Sequence, residues 1–84
     1  MKFYNMSDNL DDIILELERY TQENKSDDVA FFRLGNAYHK AGNMASAIRC
    51  YLSAIEINPQ SPAKEAHRML MDILEFRNTD LYNP

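Results

Sequence analysis

The sequence predicts an all-α fold, an antiparallel array of four helices arranged as α-α hairpins. Three observations predict it. Apolar residues recur at helical spacing in four successive segments. The chain of 84 residues contains only two glycines and three prolines, which is few for a turn-rich β fold. The connection at Gly42-Asn43 is so short that the helices on either side of it must be antiparallel neighbours.

The first helix is predicted over residues 8–24. Ser7 or Asp8 can accept hydrogen bonds from the free N–H groups of its first turn. The turn-forming residues 24–27 then end it. Its apolar stripe consists of Leu10, Ile13, Ile14, Leu17 and Tyr20.

The second and third helices are predicted over residues 28–41 and 44–57. Gly42 follows the second helix at the position where a left-handed residue commonly ends a helix. Asn58-Pro59 ends the third helix, because the residue before a proline is disfavoured in the helical conformation. The stripe of the third helix consists of Ala47, Ile48, Tyr51, Ala54 and Ile55.

The fourth helix is predicted over residues 62–77, with Ser61 as its cap and a proline in its first turn. Its apolar side consists of Ala63, Ala66, Met69, Leu70, Ile73 and Leu74, and we expect Met69 to belong to the core. The tail, residues 78–84, contains the apolar pair Leu81-Tyr82 close behind Phe76. We expect these side chains to pack back on the helices, or else to dock into a neighbouring chain. Nothing divides the chain, so residues 1–84 are predicted to form one domain.

Residues 28–61 resemble the tetratricopeptide repeat, a helix-turn-helix unit of about 34 residues. Phe31 stands at the position of the family's tryptophan and Tyr51 at the position of its phenylalanine. The signature positions are Phe31, Leu34, Gly35, Tyr38, Ala47, Tyr51, Ala54 and Pro59. The flanking helices depart from the pattern and look like caps. The resemblance implies a small protein-interaction module that binds its partner in a groove.

Gly35 lies inside the second helix, where glycine costs about 1 kcal/mol relative to alanine. This cost is reasonable only if another backbone comes close, and the small Ala47 and Ala54 of the third helix offer matching room. The sequence therefore predicts close packing of these two helices at Gly35.

The resemblance also implies which residues contact a partner, because the first helix of each repeat lines the groove in this family. Some members bind the terminal carboxylate of a peptide with Lys and Asn on this face. Asn36 matches that Asn, but Phe32 stands at the position of the Lys, which puts a full carboxylate clamp in doubt. The alternative is a solvated face with Phe32 covered by the fourth helix or the tail. The candidate partner-binding residues are Phe32, Arg33, Asn36, His39 and Lys40.

The charge pattern argues against nucleic-acid and membrane partners. The net charge is −4, and the chain lacks the dense basic footprint of a phosphate-backbone binder. From Val29 to Ile55 there is no acidic residue at all. No run of about 18 apolar residues is present to span a membrane. We therefore expect a cytoplasmic protein whose partner is another protein or a peptide.

The sequence contains no residue pattern of catalysis or metal binding. His39 and His67 have no further ligand at metal-site spacing, and no phosphate-binding glycine motif is present. Cys50 is the only cysteine, which excludes a disulfide within the chain and indicates a buried packing residue. We expect no enzyme activity, no metal and no cofactor.

Two functions follow from this sequence. The first is a module that binds a short peptide or a protein surface through the second and fourth helices. The second is structural self-association, as a homodimer or as a unit that completes a longer array. It remains open because such repeats usually need about three copies to bury their apolar faces.

Overall fold

The structure is a computed structural model that describes the backbone of residues 6–82 and the side chains of residues 9–75. Over this range the chain forms four helices and no strand. Each helix packs on the next one in the chain, and the second and third form the most extensive contact. The predicted all-α hairpin array is confirmed. The helices are α1 Met6–Glu23, α2 Asp28–Lys40, α3 Met44–Ile57 and α4 Ala63–Tyr82.

The turn between α2 and α3 is fixed by backbone hydrogen bonds around Gly42, whose φ is +86°. The Gly42 N–H donates to the carbonyl oxygen of His39 (3.0 Å), and the Asn43 N–H donates to that of Tyr38 (2.9 Å). This pair of bonds closes the end of α2 as a Schellman motif. The Oδ1 atom of Asn43 then accepts from the Ser46 N–H (3.2 Å) and starts α3.

The turn between α3 and α4 is held by two polar side chains. Nδ2 of Asn58 donates to Oδ2 of Asp28 (3.1 Å), which ties the end of α3 to the start of α2. Oγ of the buried Ser61 accepts from the Ala63 N–H (3.0 Å) and caps α4. The α2–α3 hairpin is thus closed at one end by the bonds around Gly42 and at the other by the bond between Asn58 and Asp28.

The core lies where α3 packs between α2 and α4. Tyr51 is 1% exposed and is one of the two largest fully buried side chains, together with Leu70 of α4. Both belong to a buried cluster that also contains three alanines, whose small side chains let the helices approach closely. The buried cluster consists of Ala47, Tyr51, Ala54, Ala63 and Leu70.

The terminal helices expose apolar residues that the sequence pattern assigned to their packed sides. Met69 is 53% exposed and Ile73 is 44% exposed, and Ile13 and Tyr20 of α1 are exposed as well. The expectation that Met69 belongs to the core was therefore wrong. The reason is that α1 packs mainly on α2 and α4 mainly on α3. A single neighbour covers only part of a wide apolar stripe.

Helix α4 is longer than predicted. The sequence indicated an end near residue 77 and an irregular tail over residues 78–84, whereas the helix continues to Tyr82. No glycine or proline interrupts the chain from Ala63 to Tyr82, and single Asn, Thr and Asp residues cost only fractions of a kcal/mol in a helix. The side chains of Phe76, Leu81 and Tyr82 lie outside the described residues, so their packing stays a prediction.

Candidate protein-interaction surface

The predicted partner-binding residues lie on one side of α2, which we call the α2 face. Phe32 and His39 are half-buried there, whereas Arg33, Asn36 and Lys40 are exposed. The Phe32 ring is tilted by 38° against the Tyr51 ring, with their centroids 6.2 Å apart. The face therefore offers an aromatic surface anchored on the core, with cationic and amide groups beside it.

Asn36 is oriented by the core residue Tyr51. The buried Tyr51 hydroxyl donates to Oδ1 of Asn36 at 2.6 Å. Burial raises the pKa of Tyr51, so the hydroxyl keeps its proton at neutral pH. Nδ2 of Asn36 has no hydrogen-bond partner among the described residues. The amide is thus held at its oxygen and leaves a donor at its nitrogen for a partner.

Gly35 explains how the Tyr51 ring reaches this position. A Cβ atom at residue 35 would lie 2.5 Å from Cε1 and 2.6 Å from Cδ1 of Tyr51, far inside contact distance. The bare backbone of α2 therefore forms the surface on which the ring packs. The sequence predicted a close approach at Gly35, but the neighbour is an aromatic side chain and not another backbone.

Helix α4, which was predicted to share the binding surface with α2, has an exposed apolar flank. Met69 and Ile73 are exposed and lie one turn apart, on the flank of α4 next to Ala66. Ala66 packs against the same buried cluster as Phe32. The sequence signal for this flank is the apolar pair itself, which lies at i, i+4 beside the stripe of α4 that packs on α3.

A second surface feature is a cleft between α1 and α2, which we call the α1/α2 cleft. Its volume is about 620 Å³. Leu17 and Tyr20 of α1 line one side, and Val29, Ala30 and Arg33 of α2 line the other. The sequence did not predict this cleft, because it exists only when two helices are packed side by side.

Asp27 fixes the α1–α2 junction beside this cleft. Its Oδ1 atom accepts from the Ala30 N–H (3.1 Å) and caps α2, while Oδ2 accepts from the Tyr20 hydroxyl (2.8 Å). The Tyr20 hydroxyl, followed by the Ala30 N–H, holds the pKa of Asp27 below its usual value. One carboxylate thus starts α2 and ties α1 to it.

We predict that Asp27→Ala lowers the melting temperature by about 4–8 °C, because it removes the cap and the link to α1 together. Asp27→Asn keeps one oxygen for the cap and loses the acceptor for Tyr20, so its loss should be smaller and close to that of Tyr20→Phe. Thermal melts followed by circular dichroism measure all three variants. Equal melting temperatures for Asp27→Ala and the unchanged protein would contradict this role.

Cys50 does not contribute a reactive group to the surface. Burial raises the pKa of its thiol to about 11, and the side chain is buried as the sequence predicted. Over the described residues, no group of three or more His, Cys, Asp or Glu side chains is placed to hold a metal ion. None of the helices in that range is long and apolar enough to cross a membrane. The surface offers hydrogen-bond donors, cations and apolar contacts.

Comparison with known proteins identifies the α2–α3 hairpin. The tetratricopeptide repeat family model matches residues 29–61, which contain most of α2 and all of α3. The chain contains a tetratricopeptide repeat. Its repeat is a hairpin of two helices closed by Gly42, with α1 and α4 on either side. Members of this family typically mediate protein–protein interactions and are typically not catalytic.

The whole four-helix arrangement of this tetratricopeptide repeat chain also occurs in a solved structure. The chain is similar to a Bacteroides fragilis protein whose structure was determined by solution NMR. The two share 38% sequence identity over 95% of this chain and 91% of the other, with a TM-score of 0.69. No curated protein matches the chain. The likeness therefore extends beyond the repeat and includes the flanking helices.

Proposed function

We propose that this tetratricopeptide repeat chain binds a short peptide or a protein surface through the α2 face, with Met69 and Ile73 of α4 as an added apolar edge. The observation that carries the proposal is Asn36, whose amide oxygen is held by the buried Tyr51 hydroxyl. A donor fixed in this way costs less entropy to use in binding than a freely rotating side chain.

Each group on the α2 face has a role in this proposal. Phe32 supplies an apolar contact. Nδ2 of Asn36 donates to a carbonyl or carboxylate oxygen of the partner. Arg33 and Lys40 are exposed cations on a segment without acids, so they favour a partner with acidic groups. The half-buried side chain of His39, next to Lys40 in the chain, adds contact area. The protein acts in the cytoplasm as a non-catalytic scaffold in this proposal.

The double variant Asn36→Ala plus Lys40→Ala tests the α2 face. We expect it to lower the recovery of the protein that co-purifies with the chain from its native cells at least tenfold, because one directed hydrogen bond and one charge are lost. Tyr51→Phe should give a smaller loss, since it removes only the hydroxyl that orients Asn36. Affinity purification followed by quantitative mass spectrometry measures the recovery.

A matched control is Gln22→Ala plus Lys64→Ala, which also removes one amide and one cation from exposed positions, on α1 and α4. Its recovery of the partner should equal that of the unchanged chain. If the α2-face variant recovered the partner as well as this control does, the assignment of the site to α2 would be wrong.

The exposed flank of α4 favours self-association as a second candidate function. Met69 and Ile73 present apolar surface that a second copy can cover. Light scattering at two concentrations separates the functions, because a partner-binding monomer keeps its mass and a dimer does not. Extension of the array beyond α4 is less favoured. Arg68 forms ion pairs with Glu65 and Asp72 on the side of α4 away from α3, which gives that side the polar character of a terminal cap.

A further inference from the structure

Of the residues that line the α1/α2 cleft, only Arg33 belongs to the proposed function. We propose that it is a second docking site, and that its occupant is an amphipathic helix of another protein with basic residues along its apolar stripe.

The cleft is open, and apolar side chains form part of its lining. Its volume of about 620 Å³ falls in the range of ligand and peptide sites in proteins. Ala30 is almost fully buried at its base, whereas Tyr20 is 44% exposed and Val29 is 52% exposed on its walls. Side chains of this size remain in contact with water unless a partner covers them, so covering them is favourable.

The unpaired charges on the α1 side of the cleft sum to −1, because the two glutamates outweigh one arginine. Glu16 and Glu23 both line it, and neither forms a hydrogen bond or an ion pair with another described residue. Arg19 also lines the cleft but pairs with neither of them. The carboxylate of Asp27 is occupied by Tyr20 and Ala30, and the charge of Arg33 on the opposite wall acts on that same carboxylate.

The spacing of the two glutamates indicates a helix as the partner. Glu16 and Glu23 are seven residues apart, which is two turns of α1 and a rise of about 10.5 Å. A helix lying along the cleft can reach both with Lys or Arg residues that are also two turns apart. Its apolar residues, at helical spacing between them, then face Leu17, Tyr20 and Val29.

Charge argues against α1 of a second copy as the occupant. Residues 9–23 of α1 contain five acids and one arginine, so two α1 helices repel each other. Helix α2 does carry two cations seven residues apart, Arg33 and Lys40, so self-association is a separate outcome of the test. If light scattering showed that the mass rises with concentration and that Glu16→Lys plus Glu23→Lys abolishes the rise, the occupant would be a second copy and not another protein.

Selection from a displayed library of 16-residue peptides against the full chain tests the proposal. We expect the selected peptides to combine an apolar helical stripe with Lys or Arg residues about seven positions apart. Glu16→Lys plus Glu23→Lys should weaken their binding at least tenfold, and Glu16→Gln plus Glu23→Gln should weaken it less. Melts by circular dichroism, expected to match the unchanged chain, show that the variants are folded.

The control is Asp11→Lys plus Glu56→Lys, which changes the net charge equally at exposed positions outside the cleft. It should bind the peptides nearly as well as the unchanged chain. Asn36→Ala plus Lys40→Ala should also leave this binding unchanged, which separates this site from the α2 face. The proposal is overturned if no basic amphipathic peptide is selected, or if the cleft variants bind no worse than the control.

Discussion

Replacing Tyr51 by alanine is expected to lower the free energy of unfolding by about 3–5 kcal/mol. The ring is 1% exposed and belongs to the buried cluster between α2, α3 and α4, so its removal leaves a cavity at the centre of the fold. A domain of this size has only about 4–13 kcal/mol of stability in total. Urea denaturation followed by circular dichroism should show a large drop in midpoint or a chain that is unfolded without urea.

Two neighbouring variants separate the contribution of the ring from other effects. Tyr51→Phe keeps the ring and removes the hydrogen bond to Asn36, which should cost about 0.5–1.5 kcal/mol. Leu52→Ala removes an exposed side chain from the next position and should cost little. A Tyr51→Ala protein as stable as Leu52→Ala would show that the buried cluster does not hold the helices together.

Replacing Gly35 by leucine is expected to lower the free energy of unfolding by about 1–3 kcal/mol through overpacking. Even the first atom of the new side chain would lie 2.5 Å from the Tyr51 ring, and that ring is enclosed and has no room to move away. Helix propensity alone favours a side chain here, with a gain of about 1 kcal/mol for alanine over glycine. Gly35→Ala should therefore also destabilise, because the steric conflict outweighs this gain.

Gly42→Ala is the control for this prediction. We expect alanine at position 42 to lower the stability through the backbone conformation that it must adopt, and not through crowding. Residue 42 has a φ of +86°, and a Cβ atom there would meet no other atom within 4 Å. Alanine at this position therefore destabilises the protein through backbone strain alone. Thermal melts of the Gly35 and Gly42 variants compare the two causes. Gly35→Leu with an unchanged melt would contradict the packing of Tyr51 on the α2 backbone.

The α2–α3 hairpin could be predicted from sequence because its determinants are close together along the chain. The Gly42 turn, the Asn43 cap and the apolar positions between Phe31 and Ala54 each act over one or two turns of helix. The candidate residues on α2, which the family resemblance implied, share one side of the helix. Whether they bind a partner stays a prediction, with Asn36 as the residue on which it mainly depends.

The parts of the surface that sequence did not predict depend on contacts between residues far apart in the chain. Met69 was assigned to the core because it lies on the apolar side predicted for the fourth helix, yet only a structure shows that a single neighbouring helix covers α4 too narrowly to bury it. The bond from Tyr51 to Asn36 joins residues 15 positions apart on different helices. No local pattern encodes such a pair.

The sequence by itself determined four helices, the turn at Gly42 and the tetratricopeptide signature from Phe31 to Pro59. These features arise from short-range hydrogen bonding and from the periodicity of apolar residues. The tertiary structure decided which flanks of α1 and α4 stay exposed, how Asn36 is oriented, and that α1 and α2 form a cleft between them. Those outcomes depend on how many neighbours each helix has and how closely they approach, which is a property of the packed array and not of any one segment.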